Sequence, residues 1–261
     1  MDLRMTECTR HVGVIVVLLG ILTGCRGTPE REVLRLYCGA GIRPPVAQIV
    51  DEFEGSRGVK IESDYAGAAI LLSRIKLTGQ GDLYMPGDIR YVRLAEKDGL
   101  IASSATAAYF IPVILVAKGN PKGIHSVADL ARPGLHVGVG DPEACAIGSV
   151  TKEVLSNSGL PPLDFEPNIV FRSLTVNELG MQVKAGKLDA TIVWDAIARM
   201  YSDAGEVVPI RRDINVISTV PVAVLRSSRY PDLAREFQAF VTSRRGREIF
   251  AQHGYMTELP R

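Results

Sequence analysis

The stretch LYCGAGIRPPVAQIVDEF, from Leu36 to Phe53, leaves an apolar segment, turns through Gly39, Ala40 and Gly41, and enters a helix behind Pro44 and Pro45. Proline suits the first turn of a helix because the N–H it lacks has no partner there in any case. A strand that hands over to a helix through small residues brings bare backbone N–H groups close to whatever lies beyond. The turn itself carries no Ser, Thr, Asn or Asp. Any ligand held at this point is therefore held by the main chain or by Arg43.

Outward from this turn the same unit repeats. Short apolar strands alternate with amphipathic helices: VKIESDYAG leads into AAILLSRIKLTGQ, GDLYMPGD into IRYVRLAEKDG, LHVGVGDPEACAIG into SVTKEVLSNSG, NIVFRSLT into VNELGMQVKAG, and DATIVWDA into IARMYSDAG. This alternation predicts an α/β fold with largely parallel sheets. Two extended, β-rich segments break the rhythm, AAYFIPVILVAKGNP and NVISTVPVAVLRSS. The simplest arrangement is two lobes, with the chain crossing at the first segment and returning at the second. That gives residues 33–117 to the first lobe, 118–218 to the second, and 219–261 to a return into the first. A final helix at about Asp232–His253 closes the chain against the first lobe.

The chain of 261 residues is 46% hydrophobic, enough for two real cores, and its formal net charge of +1 favours neither nucleic acid nor a strongly acidic partner. At the N-terminus a short basic region with Arg4, Arg10 and His11 precedes the apolar run VGVIVVLLGIL and then LTGC. The run is shorter than the ~20 residues a membrane-spanning helix needs. Leu22, Gly24 and Cys25 resemble a bacterial lipobox, which makes residues 1–24 a signal peptide, Cys25 a lipidated first residue and 25–32 a tether; the other reading is an ordinary secretory signal. Either way the mature protein lies outside the cytoplasmic membrane. Beyond Cys25 only Cys38 and Cys145 remain, one pair at most, and buried free thiols are the ordinary state of such residues.

Four strand-to-helix turns place helix N-termini where open α/β folds bind ligands: Gly39–Arg43, Ala66–Ala69, Cys145–Gly148 and Thr175–Asn177. The first two belong to lobe one and the last two to lobe two, so a cleft between the lobes gathers all four. Small residues at Ala40, Gly41, Gly67 and Ala68 leave the backbone open to an anion, although close helix–strand packing asks for the same residues. Thr175 and Glu178 have the form of a capping box. Arg43 is the one cation within these turns and either pairs with an anion or lies along the surface. Trp194 ends the strand ATIVW and either walls the cleft or caps the core. Asp88, Asp141, Glu143 and Asp195 sit near strand ends, where they cap helices or brace loops; none has ligand spacing with the scattered His125, His136 and His253. No Ser-His-Asp pattern, phosphate-loop lysine motif or HExxH is present, which disfavours an enzyme.

At these turns the chain resembles the molybdate-binding proteins of bacterial ABC importers, a branch of the type II periplasmic binding proteins. The resemblance runs over about Val33–Tyr255 and is carried by LYCGAGI, YAGAAILLSRI, GDLYMPGD, VGVGDPEACAIGSVTKEVL, IVWDA, VPVAVL and GREIFAQHGY, with VGDPE the most specific piece. It implies a two-lobed fold, each lobe a mostly parallel sheet flanked by helices, that closes on a tetrahedral oxyanion and delivers it to a permease and its ATPase. It implies a monomeric receptor with no cofactor, in which metal enters only as the centre of the oxyanion. By the same resemblance the two family serines fall on Gly41 and Ala68, the lobe-two backbone donors on Ile147 and Val176, and the cleft tyrosine on Trp194.

Here the chain departs from the pattern. Both hydroxyl donors are absent, and a hydrogen bond to a charged ligand is worth ~1.5–3 kcal/mol. Two such losses weaken binding by ~10²–10⁴-fold unless Arg43, further backbone donors or water compensate. The ligand is then a molybdate- or tungstate-like oxyanion, or another small anion or organic acid in the same fold; a third reading is an envelope sensor that transports nothing. Cys38 and Cys145 fall at turns of opposite lobes, where closure would bring two thiols towards one ligand.

Overall fold

A computed structural model describes residues 32–259; the expected signal peptide, Cys25 and most of the expected tether lie outside the described residues. The first lobe is built from β1 (Val33–Gly39), α1 (Arg43–Arg57), β2 (Lys60–Ala66), α2 (Ala68–Thr78), β3 (Leu83–Met85), α3 (Ile89–Lys97) and β4 (Ile101–Phe110). The second follows with β5 (Pro112–Ala117), β6 (Val137–Gly140), α4 (Ala146–Asn157), α5 (Pro162–Phe165), β7 (Ile169–Ser173), α6 (Val176–Lys184), β8 (Ala190–Trp194), α7 (Asp195–Met200) and β9 (Gly205–Pro209). The chain returns to the first lobe through β10 (Ser218–Leu225), α8 (Pro231–Thr242) and α9 (Arg244–Gln252).

The strand orders are β2-β1-β3-β10-β4 and β7-β6-β8-β5-β9. Within the described residues each sheet has one strand opposed to the other four: β10, antiparallel to β3 and β4, and β5, antiparallel to β8 and β9. Both sheets are therefore mixed, and the opposed strands are the two segments that break the sequence rhythm. The pairing also moves the first crossing. β5 belongs to the second sheet, so the chain changes lobes at Ile111 and not at the expected 117/118, because β4 and β5 are separated by one residue and read as a single run. The second crossing lies within 210–217, and Ser218 already pairs with Phe110 in the first sheet.

The crossing points are tied together. Asp195 donates its N–H to the Ile111 carbonyl at 2.8 Å, and its carboxylate accepts from the Ile111 N–H at 3.3 Å. Asn215, in the segment that precedes the returning strand, donates to the Pro112 carbonyl at 2.9 Å. Burial of the Asp195 carboxyl raises its pKa above the usual carboxylate value, against the pull of these N–H donors.

The expected closing helix is two helices. Ser243 adopts an extended backbone, ψ 171°, and its hydroxyl accepts from the Gly246 N–H at 3.2 Å, which ends α8 and caps α9. Both helices pack on the first lobe, where Phe237 meets Phe53 edge-on with ring centroids 5.2 Å apart. Arg245 grips Glu52 of α1, and Arg57 pairs with Glu236 at 2.9 Å. The chain end thus braces the helix behind the first turn.

Candidate functional site

The carboxyl ends of β1 and β2 face those of β6, β7 and β8 across a cavity of about 30 Å³. From the first lobe it is lined by Ala40, Gly41, Gly67 and Ala68, and from the second by Ile147, Val176 and Trp194. Each expected site residue except Arg43 is therefore in one place. Ala68, Ile147 and Val176 occupy the first turns of α2, α4 and α6, where N–H groups have no partner within the helix. Their dipoles present partial positive charge to the cavity without any cationic side chain.

Arg43 lies outside. It is exposed at the first position of α1, with its guanidinium 5.0 Å from the centroid of the Tyr65 ring. A cation stacked on an aromatic face is stabilised there, and the cavity lining contains no charged side chain. The polar side chains that do line it are the Cys145 thiol, the Thr175 hydroxyl and the Trp194 indole N–H.

Trp194 is only 2% exposed and walls the cavity at the same time. Its ring stacks on Phe110 at 4.7 Å and 8°, and Phe110 meets Tyr255 at 5.3 Å. The Tyr255 hydroxyl donates to the Gly41 carbonyl and so fixes the first turn from behind. Phe110, Gly87 and Tyr255 are the residues that the sequence did not single out. Gly87 and Phe110 line the cavity, and Tyr255 acts on a residue 214 positions earlier, a pairing with no local signal.

The lobes touch around the cavity. The Ala69 N–H donates to the Ala144 carbonyl at 3.2 Å, the Asn177 amide reaches the Ala40 carbonyl at 3.5 Å, and Arg90 of α3 bonds Glu153 of α4 at 3.2 Å. Gly67 sits where the approach is closest: a Cβ there would lie 2.4 Å from the Ala144 oxygen and 2.7 Å from the Leu174 oxygen. At Gly41 a Cβ would lie 2.9 Å from Val176 Cγ1 and 3.6 Å from Trp194 Cδ1. Val176 therefore takes the space into which a side chain at position 41 would grow.

One sequence expectation, the capping box, is revised here, while the cysteines and the acidic residues take the structural roles expected of them. Thr175 starts α6 but makes no side-chain cap; Glu178 instead accepts from the Ser173 hydroxyl, whose oxygen also accepts from the Thr175 N–H at 3.2 Å, so the capping box does not form. Cys38 and Cys145 are free and buried, each with its sulfur 3.7 Å from a backbone carbonyl, that of Gly39 and that of Ser173. Burial raises the Cys38 thiol pKa and pushes that of Cys145 up to about 11, so both remain protonated near neutrality. Asp88 caps α3 through the Arg90 N–H at 2.7 Å and accepts from Ser218 at 2.8 Å, and Asp141 braces its own loop by accepting from the Glu143 N–H at 2.8 Å.

Residues 34–256 match the bacterial extracellular solute-binding protein family. The chain belongs to that family. It is an extracellular solute-binding protein, from a transport-associated family that is not enzymatic. The molybdate-binding protein ModA of Mycobacterium tuberculosis strain H37Rv is 31% identical over 222 residues, 84% of this chain and 83% of the relative. The periplasmic molybdate-binding protein of Azotobacter vinelandii superposes with a TM-score of 0.70 at 17% identity, covering 87% of this chain and all of that one. The sulfate-binding protein SubI of M. tuberculosis superposes with a TM-score of 0.73 at 20% identity over 86% of each chain. At such identities the two superpositions speak for the fold.

Proposed function

We propose that this solute-binding protein captures a tetrahedral oxyanion of the molybdate and tungstate class between its lobes and delivers it to an ABC permease and its ATPase. The observation that carries the reading is the convergence of the first turns at Gly41, Ala68, Ile147 and Val176 on one small cavity with no charged side chain. Four helix-type N-termini contribute ~0.3–1 kcal/mol each towards an anion before any hydrogen bond is counted. Each N–H donated to the charged ligand adds ~1.5–3 kcal/mol. The 31% identity to a molybdate-binding protein supports the same class.

Position 41 and position 68 bring no hydroxyl, so the ligand is held by main-chain N–H groups, with the Trp194 indole and the Thr175 hydroxyl as the side-chain donors at hand. Arg43, 5.0 Å from the Tyr65 ring centroid, takes no part. The cavity is small, about 30 Å³, which favours a compact inorganic anion over an organic acid. The protein works as a monomer, tethered outside the cytoplasmic membrane by a lipid on Cys25. Titration calorimetry of the protein with molybdate, tungstate, sulfate, phosphate and a small organic acid tests the reading. Saturable one-to-one binding of molybdate or tungstate, tighter than that of the organic acid, is expected; silence to both metal oxyanions would reject it.

A further inference from the structure

The second lobe holds a much larger cavity than the cleft, about 470 Å³, between α4, β6, β7 and the segment that carries α5. Its floor is Val139, Leu155, Phe165 and Ile169. Its volume lies in the range of small-molecule sites, ~300–1,000 Å³. Two polar features distinguish it from a packing defect. Thr151 lines the cavity, is 3% exposed, and its hydroxyl oxygen has no hydrogen-bond partner. Such a buried, unpaired hydroxyl is destabilising, so a group that satisfies it is favoured. At the rim, Arg172 is engaged by Glu166, whereas Lys152 has no acidic partner within 4.0 Å among the described residues.

We propose that this cavity is a second ligand site, for a small amphipathic carboxylate whose apolar body fills the floor and whose headgroup meets Lys152 and accepts from the Thr151 hydroxyl. At roughly 30 Å³ per non-hydrogen atom, water's own share, 470 Å³ corresponds to a molecule of about 15 such atoms. A saturated chain of about a dozen carbons has that size. Burying it against Leu155, Phe165 and Ile169 supplies the affinity. The free ammonium at the rim sets the sign of the headgroup. The site shares no side chain with the set of cleft residues named above, so the two ligands do not compete directly.

The probe is a diazirine-bearing dodecanoate, photolysed with the full-length purified protein and mapped by peptide mass spectrometry. Labelling is expected within residues 139–172, saturable, displaced by unlabelled dodecanoate and indifferent to molybdate. Lys152→Glu is expected to lower labelling about three- to tenfold at sub-saturating probe, since the rim charge is exposed. Leu160→Trp, which puts an indole at the cavity edge, is expected to abolish it; the mapping on the unaltered protein stands whether or not that variant folds. Labelling spread outside this segment, labelling not displaced by dodecanoate, or displacement by dodecanol as effective as by dodecanoate would each overturn the assignment.

Discussion

The first lobe meets the cavity with Ala40, Gly41, Gly67 and Ala68, the second with Ile147, Val176 and Trp194. Both walls are strand-to-helix turns at the carboxyl ends of mixed five-stranded sheets. At its two turns the first lobe offers main chain and small side chains, with Phe110 of β4 as its one bulky contribution, while the second lobe adds bulk that fills what those turns leave open. Val176 reaching within 2.9 Å of where a Gly41 side chain would begin is the clearest instance. The loss of a hydroxyl on one side and the presence of an apolar side chain on the other are thus a single packing solution, and substitutions that disturb it should be felt across the cleft.

The strongest way to break the arrangement is Gly67→Ala. The new methyl meets the Ala144 and Leu174 carbonyls at 2.4 and 2.7 Å, and backbone cannot give way as a side-chain tip can. The lobes would be held apart and the donors of the second lobe lost, an expected fall in affinity of about 100-fold or more. Calorimetry reads the affinity, and small-angle scattering reads a ligand-independent, more open particle.

Gly41→Ser tests the packing pair itself. Alone it overpacks against Val176, at ~1–3 kcal/mol, and weakens binding. Joined to Val176→Ala it regains room for a hydroxyl donor, and the double variant is expected to bind molybdate at least about tenfold more tightly than Gly41→Ser. A double variant no better than the single one would mean that the two residues are not coupled.

A smaller effect sits at the crossing. Because burial raises the folded-state pKa of Asp195, its uncharged form favours folding: that contribution is full below about 3.8 and is lost as pH rises through the raised value. Asp195→Asn keeps an acceptor for the Ile111 N–H and should flatten this part of the Tm-against-pH curve, with the variant gaining on the parent as pH climbs from about 4 towards 7.

The smallest effect is expected at Arg43. Arg43→Ala should leave oxyanion affinity within about twofold while costing ~0.5–1 kcal/mol in denaturant unfolding, the value of its contact with Tyr65. A large loss of affinity would place the guanidinium in the ligand shell.

Much of this was legible in the sequence, and the failures have physical causes. The turns at Gly39–Arg43 and Ala66–Ala69 stood out because small residues between an apolar run and a helix are a local signal. Trp194 stood out because it ends a strand. The lobe boundary was misplaced because Ile111 alone separates β4 from β5, and hydrogen-bond partners, not composition, assign each half to its sheet. The break at Ser243 was hidden in a helical pattern, since a serine caps a helix only when its backbone is already extended. Thr175 and Glu178 match a capping box in spacing, but Ser173 lies close enough to win the glutamate. Phe110 and Tyr255 were beyond reach of local reading, as each acquires its role from a ring or carbonyl distant in the chain.

Anomalous diffraction at the molybdenum edge from crystals grown with molybdate tests the central claim most directly. The account predicts one strong peak inside the cavity bounded by Gly41, Ala68, Ile147 and Val176, within hydrogen-bonding reach of their N–H groups and with Arg43 still on Tyr65. A peak beside Arg43 on the surface, or none in the cleft from protein that binds molybdate in solution, would contradict it.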